Sequence, residues 1–269
     1  MHMKNTSRHF SARTYIANLV AGGRYTFTSG DAQKALGTSS AATKLALHRL
    51  AKQMLIASPA RGFYVIVPPE YRALGCLPPD QFIPALMEHA KIPYYVGLLS
   101  AAEYHGAAHH RPQQFQVMLP VNRRPIACGK VRVAFIARKR LADISVQSFN
   151  TPRGTINVST PEATAVDLVG YPQHAGGLDN VATLLSELVE KIDANRLTAA
   201  AAAAPLPWAQ RLGYLLEQIG ASSAAAPLKF YVGEHARLMV PLSPEKIYPR
   251  SNRNDGWKLY INTTVEAET

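Results

Sequence analysis

Long apolar runs are missing from this 269-residue chain. No stretch approaches the ~20 consecutive apolar residues that a membrane-spanning helix requires. The first residues are followed by no apolar segment of the kind that directs secretion. Cysteine is nearly absent, with Cys76 and Cys128 the only two. Their spacing suits neither a metal site nor a disulfide framework, so a reducing cytoplasm is the expected compartment. Acid is scarce where base is not: between Ser7 and Val67, Asp31 stands alone against eight Lys or Arg.

Catalytic signatures are missing too. A restriction-type nuclease needs an acid two positions before a lysine to hold a divalent ion and activate water, and no lysine here has one. There is no glycine-rich phosphate loop, no strand with paired carboxylates, and no Gly-x-Ser-x-Gly. Glu162 and Asp167 are five apart on a short predicted helix, which suits a cap and a solvated acid better than a dyad. His105 and His109 have one-face helical spacing, with His110 beside them, but Gly106 breaks the helix between them. No catalytic residue, metal or cofactor is expected, and the chain is not read as an enzyme.

What is present is localised positive charge. The formal net charge is +11. Residues 1–72 hold 10 Lys/Arg against 2 acids, and residues 104–142 hold 8 against none. The remainder holds 11 basic and 16 acidic residues, a net of −5. Two basic blocks on a mildly acidic protein suit an extended polyanion.

The first block has the element order of a winged helix-turn-helix. Ser11 to Ala21 reads as a helix, Tyr25-Thr26-Phe27-Thr28 as a short strand, and Gly30 to Leu36 as a second helix capped by Ser29. Gly37 stops it. Thr38 or Ser39 caps a third helix running to about Gln53. Two β-like runs, Leu55 to Ser58 and Phe63 to Val67, join through a Pro59-Ala60-Arg61-Gly62 loop. The third helix is the candidate reader of a major groove. Ser39, Ser40 and Thr43 sit at its N-terminal end, and Lys44, His48, Arg49 and Lys52 lie away from the packing face of Ala46, Leu47, Leu50, Ala51 and Met54. Leu45 falls on the polar side without explanation. Arg61 at the hairpin tip is placed to meet phosphate.

Beyond it, Pro68-Pro69 and Pro78-Pro79 bracket a connector. The expected organisation is a DNA-binding domain over residues 1–72, a connector over 73–80, and an α+β domain over 81–269. In the last, Asp80 caps a helix to Lys91, and a second helix runs from Val96 to His105. Four sequential strands follow, near 115–119, 130–137, 144–149 and 155–158, in a mainly antiparallel sheet. Further helices are expected at 161–169, 179–192 and 208–219, with an Ala-rich stretch at 198–204 and short strands from Phe230. Within the second basic block, Arg123, Arg124, Lys130, Arg132, Arg138, Lys139 and Arg140 are expected on one positive surface, with Arg111 near it.

Four segments carry a family resemblance. They are Leu50-Ala51-Lys52-Gln53-Met54-Leu55-Ile56 with Arg61-Gly62-Phe63-Tyr64-Val65-Ile66, the run from Tyr94 to Gly106, Ser159 to Leu168, and Trp257 to Asn262. In this order the chain resembles AbiEi-type antitoxins of bacterial type IV toxin–antitoxin (abortive infection) systems. The resemblance implies an N-terminal winged helix that represses its own operon at inverted repeats, at the nucleoid. It implies a C-terminal domain that opposes a nucleotidyltransferase-like toxin without a stable complex, and no membrane partner. The Ala-rich stretch has no counterpart in that pattern. Two other readings stay open: a transcription factor with a ligand-sensing or dimerising second domain, and a DNA-processing nuclease targeted by a winged helix.

Overall fold

The computed structural model describes residues 11–107, 112–247 and 252–267. The protein is mixed α+β. In chain order the elements are α1 (Ala12–Ala21), β1 (Thr26–Thr28), α2 (Ser29–Leu36), α3 (Ser40–Lys52), β2 (Ile56–Ala60), β3 (Phe63–Ile66), α4 (Ile83–Ala90), β4 (Tyr95–Val96), α5 (Leu98–Tyr104), β5 (Phe115–Leu119), β6 (Ile126–Cys128) and β7 (Val131–Ala137). Then come β8 (Val146–Thr151), β9 (Gly154–Ser159), α6 (Pro161–Gly170), α7 (Leu178–Leu188), α8 (Ala194–Ala202), α9 (Leu206–Gln218), α10 (Ser222–His235), β10 (Val240–Pro241), β11 (Arg253–Asn254) and β12 (Leu259–Tyr260). The chain divides into two compact units. The first comprises the described residues up to Pro93 with 123–135 and 150–156; the second comprises 94–122, 136–149 and 157 onward.

In the first unit, three helices pack around a sheet of order β1-β3-β2. Ser11 caps α1 by accepting from the Thr14 N–H. The N-cap of α2 is Thr28, one residue before the expected Ser29. Its hydroxyl accepts from the Asp31 N–H while the Asp31 carboxylate accepts from the Thr28 N–H, a reciprocal box that satisfies two orphan donors. Gly37 ends α2 in the left-handed conformation at φ 60°. β1 turns Phe27 inward, where Tyr15 meets it edge-on at 5.5 Å and Tyr64 stacks on it at 5.4 Å. Ile16, Ala32, Leu36, Leu47, Leu50, Ile56 and Ile66 complete this core. β2 extends to Ala60, further than expected, because a register shift between Ala57 and Ala60 admits Pro59. The loop shrinks to Arg61-Gly62, with Gly62 at φ 75°.

The Pro-rich stretch at 73–80 is packed rather than extended, with Cys76 and Leu77 buried. Both cysteines are buried and free. Asp80 does not cap α4: it lies in a 3-10 turn, Pro79–Gln81, and α4 starts after Phe82 without a side-chain cap.

A six-stranded sheet has the order β6-β7-β5-β4-β9-β8. β4 pairs antiparallel with β5 and parallel with β9, so the expected run of sequential antiparallel strands is interrupted. The reason is Tyr95–Val96, where a helix was expected to start at Val96. Two aromatic and β-branched residues before Gly97 form a short central strand instead. In the second unit α6 is buried on every side from Glu162 to Val169, and α5, α7, α8 and α9 pack on it. α8 covers most of the Ala-rich stretch, with Leu197 and Ala201 fully buried. α10 was not expected and runs into the segment from Phe230 expected as short strands, although Pro227 lies inside it. The carbonyl that Pro227 leaves unpaired belongs to Ser223, in the helix's first turn. The tail is fastened by Trp257, which is fully buried: a Cβ on Gly213 would lie 2.0 Å from its ring, and its indole donates to Glu217 at 2.7 Å. The Gln210 amide donates to the Trp257 and Lys258 carbonyls at 3.2 and 2.9 Å.

Candidate functional site

Helix α3 divides cleanly by spacing. Thr43, Leu47 and Leu50 face inward, and Lys44, Leu45, His48, Arg49 and Lys52 are exposed. Ser39 is the N-cap, accepting from the Ala42 N–H at 3.3 Å, and Ser40 beside it is exposed. Thr43 departs from expectation. It is 2% exposed and its hydroxyl bonds Thr38 at 2.9 Å, so it pins the turn before α3 and offers nothing to a ligand. Ala51 and Met54 were expected to pack, and both are exposed; Met54 lies beyond the helix, which ends at Lys52. Leu45 is 52% exposed among the cations.

The one acid of this region is used locally. The Thr28 N–H holds the Asp31 carboxyl below its ordinary value, with Arg24 and Lys34 assisting. Arg24 lies 3.9 Å from it. Lys44, Arg49, Lys52 and Arg61 have no ion-pair partner among the described residues, so α3 and the hairpin tip keep their positive field. Arg61 is exposed, and the Ser29 N–H bonds the Gly62 carbonyl at 2.9 Å, which holds the tip against the start of α2.

The second basic block is divided between the two units, and Arg138 within it is buried. Arg123, Arg124, Lys130 and Arg132 belong to the first unit, and Arg138, Lys139 and Arg140 to the second. Arg123 sits over the Phe135 ring at 5.3 Å. Arg132 donates to the Gly129 and Val131 carbonyls at 2.8 and 2.9 Å. Arg124 and Lys130 are exposed. Arg138 is 4% exposed, and its Nε donates to Asp167 at 2.8 Å.

Asp167 is therefore not a solvated acid. It is fully buried, and its second oxygen accepts from the Tyr95 hydroxyl at 2.6 Å. Burial pushes the carboxyl upward, and Arg138 and Tyr95 oppose it. Against the penalty of its own burial, Arg138 is held charged by Asp167. Glu162 is buried as well and accepts from the Asp193 N–H at 3.2 Å. The signal in the sequence was an acid flanked by Ala165-Val166 and Leu168-Val169, where a carboxylate needs a partner. The partner's distance along the chain hid it.

Of the histidines considered for a metal, His109 and His110 lie outside the described residues, as does Arg111. His105 is buried and its Nε2 meets the Ser159 carbonyl at 2.7 Å. Lys191 donates to the His105 carbonyl. Burial lowers the His105 pKa, and Lys191 adds to that. No cluster of three or more metal-ligating groups occurs among the described residues. Nor is any helix there long and apolar enough to cross a membrane.

A cleft of about 790 Å³ in the second unit is lined by Arg138, Lys139, Arg140, Tyr171, Ala203, Ala204 and Trp208, among others. The Arg138 guanidinium lies 5.3 Å from the Trp208 ring, and Tyr171 meets that ring edge-on at 5.2 Å.

The crystal structure of the RV2827C protein from Mycobacterium tuberculosis is similar in fold, with a TM-score of 0.65 at 19% identity over 92% of this chain and 90% of that one. A search of curated proteins gives no match. Residues 95–218 match the family model of the AbiEi antitoxin C-terminal domain. The segment includes the Tyr95–Asp167–Arg138 network and Trp208. Residues 95–218 accordingly belong to the AbiEi antitoxin C-terminal domain family.

Proposed function

We propose that this antitoxin represses its own toxin–antitoxin operon through a winged helix-turn-helix in residues 1–72. The observation that carries the reading is the exposed face of α3, where Lys44, His48, Arg49 and Lys52 lie without an ion-pair partner among the described residues. A helix that follows a tight glycine turn and leaves its N-terminal end free fits a major groove. Ser39 and Ser40 are at that end, and Leu45 supplies an apolar contact of the kind thymine methyl groups accept. Arg61, at a two-residue hairpin turn, serves the phosphate backbone. Inverted repeats are the expected operator, and residues 73–80 link this domain to an antitoxin domain over 81–269. An antitoxin requires a toxin. A nucleotidyltransferase-like toxin, opposed without a stable complex, is the partner that the family resemblance supports.

Fluorescence anisotropy with DNA from upstream of the chain's own gene, against scrambled DNA, tests the reading. Specific binding is expected, and Lys44→Ala or Arg49→Ala should weaken it by about 1–3 kcal/mol where the residue reads a base. Arg61→Ala should weaken both DNAs alike. Equal affinity for upstream and scrambled DNA, or a Lys44/Arg49 double variant that binds like the parent, would overturn it.

A further inference from the structure

The cleft beside Trp208 has features that a merely structural hollow does not need. Its volume, about 790 Å³, falls within the ~300–1,000 Å³ range of small-molecule sites. Among its lining residues there is no acid. Lys139 and Arg140 are exposed and have no ion-pair partner among the described residues, so the cleft keeps a positive field even though Asp167 neutralises Arg138.

One wall is a fixed aromatic. Trp208 is half-buried, and a Cβ on Gly170 would stand 2.4 Å from its ring, so glycine lets the ring lie flat on α6. Tyr171 abuts it and donates its hydroxyl to the Ala137 carbonyl at 3.1 Å. Arg138 is a positioning residue here: its Nε is held by Asp167, its guanidinium faces Trp208, and its Nη1 donates to the Lys139 carbonyl at 3.4 Å. A ligand would meet an aromatic surface already ordered, which reduces the entropy lost on binding. Arg140 is held at φ 54°, a left-handed conformation that a side chain of its size rarely adopts and that tends to persist at functional sites. Ala203 and Ala204, the end of the Ala-rich stretch, leave room that larger side chains would fill.

A flat π-surface next to two free cations selects a ligand with an aromatic face and an anionic group. We propose that this cleft binds a nucleotide, its base against Trp208 and its phosphate between Lys139 and Arg140. The same chemistry is offered by a free nucleotide and by the terminal nucleotide of an RNA strand. The proposal uses no residue of α3 and stands apart from DNA repression.

The test is isothermal titration of the full chain with ATP, GTP, CTP and UTP, with inorganic triphosphate, with adenosine, and with a five-nucleotide single-stranded RNA. Saturable binding of at least one nucleotide or of the RNA is expected, tighter than either inorganic triphosphate or adenosine. The Lys139→Ala/Arg140→Ala double variant changes exposed residues and should fold as the parent by circular dichroism. It should weaken binding by about ten-fold or more, and Trp208→Leu by a similar factor. Trp208→Phe should restore most of the affinity. An RNA that binds at least about ten-fold tighter than every nucleotide assigns the site to a strand end, and the reverse to a free nucleotide. No saturable binding, binding of triphosphate as tight as any nucleotide, or binding unchanged in the Lys139/Arg140 variant would overturn the proposal.

Discussion

Asp167 illustrates how a single residue can tie distant segments together. It has no exposed surface, and it accepts from Arg138 on one oxygen and Tyr95 on the other. Removing it would strand a buried guanidinium, which costs about 3–5 kcal/mol, whereas replacing both partners with apolar side chains is often neutral. Asp167→Ala should therefore lower the urea-unfolding free energy by about that amount, and Arg138→Met with Asp167→Leu should recover most of it. A loss below about 1 kcal/mol in the single variant would contradict this role. His105 makes a pH-dependent contribution. Its folded pKa is lowered by burial, so the unfolded chain binds the proton more tightly. The stability it contributes is complete above the unfolded value near ~6.5 and is lost as pH falls below it. His105→Gln should flatten the fall in stability between about pH 6.5 and 5. A pH profile identical to the parent's would contradict the assignment.

At the scale of elements, α3 makes the sharpest contrast between its two faces. Leu47→Ala opens a cavity in a closed core and should destabilise by about 2–5 kcal/mol. Lys44→Ala, on the exposed face, should stay within about 0.5 kcal/mol in the same urea titration. Similar losses from both would show that the helix is packed on both sides. Helices and turns of the first unit were legible because their signals are local: Thr38 or Ser39 as the cap of α3, Gly37 as a stop, Gly62 in a turn. The Thr28–Asp31 box was also written in the chain, one residue before the serine chosen as cap. β4 was not legible, because two residues before a glycine cannot be told from a helix start without their partner strands. α10 was hidden by Pro227, whose missing donor matters little so close to a helix start. In the candidate site, the exposed cations of α3 could be read from spacing, but the burial of Thr43 and Arg138 could not. Both depend on partners supplied by the fold, Thr38 and Asp167.

For the molecule as a whole, net charge misleads unless it is divided. Of the seven cations expected to share one surface, four fall in the first unit and three in the second, and Arg138 is neutralised within the core. The proposed function places repression on α3 and antitoxicity on residues 81–269, so the two should separate in cells. One strain carrying a reporter behind the chain's own promoter, and the neighbouring toxin gene under inducible control, reads both at once. The Lys44→Ala/Arg49→Ala chain is expected to lose reporter repression and to keep full rescue of growth after toxin induction. Repression that survives the double change, or rescue that disappears with it while the protein remains folded and abundant, would contradict the account.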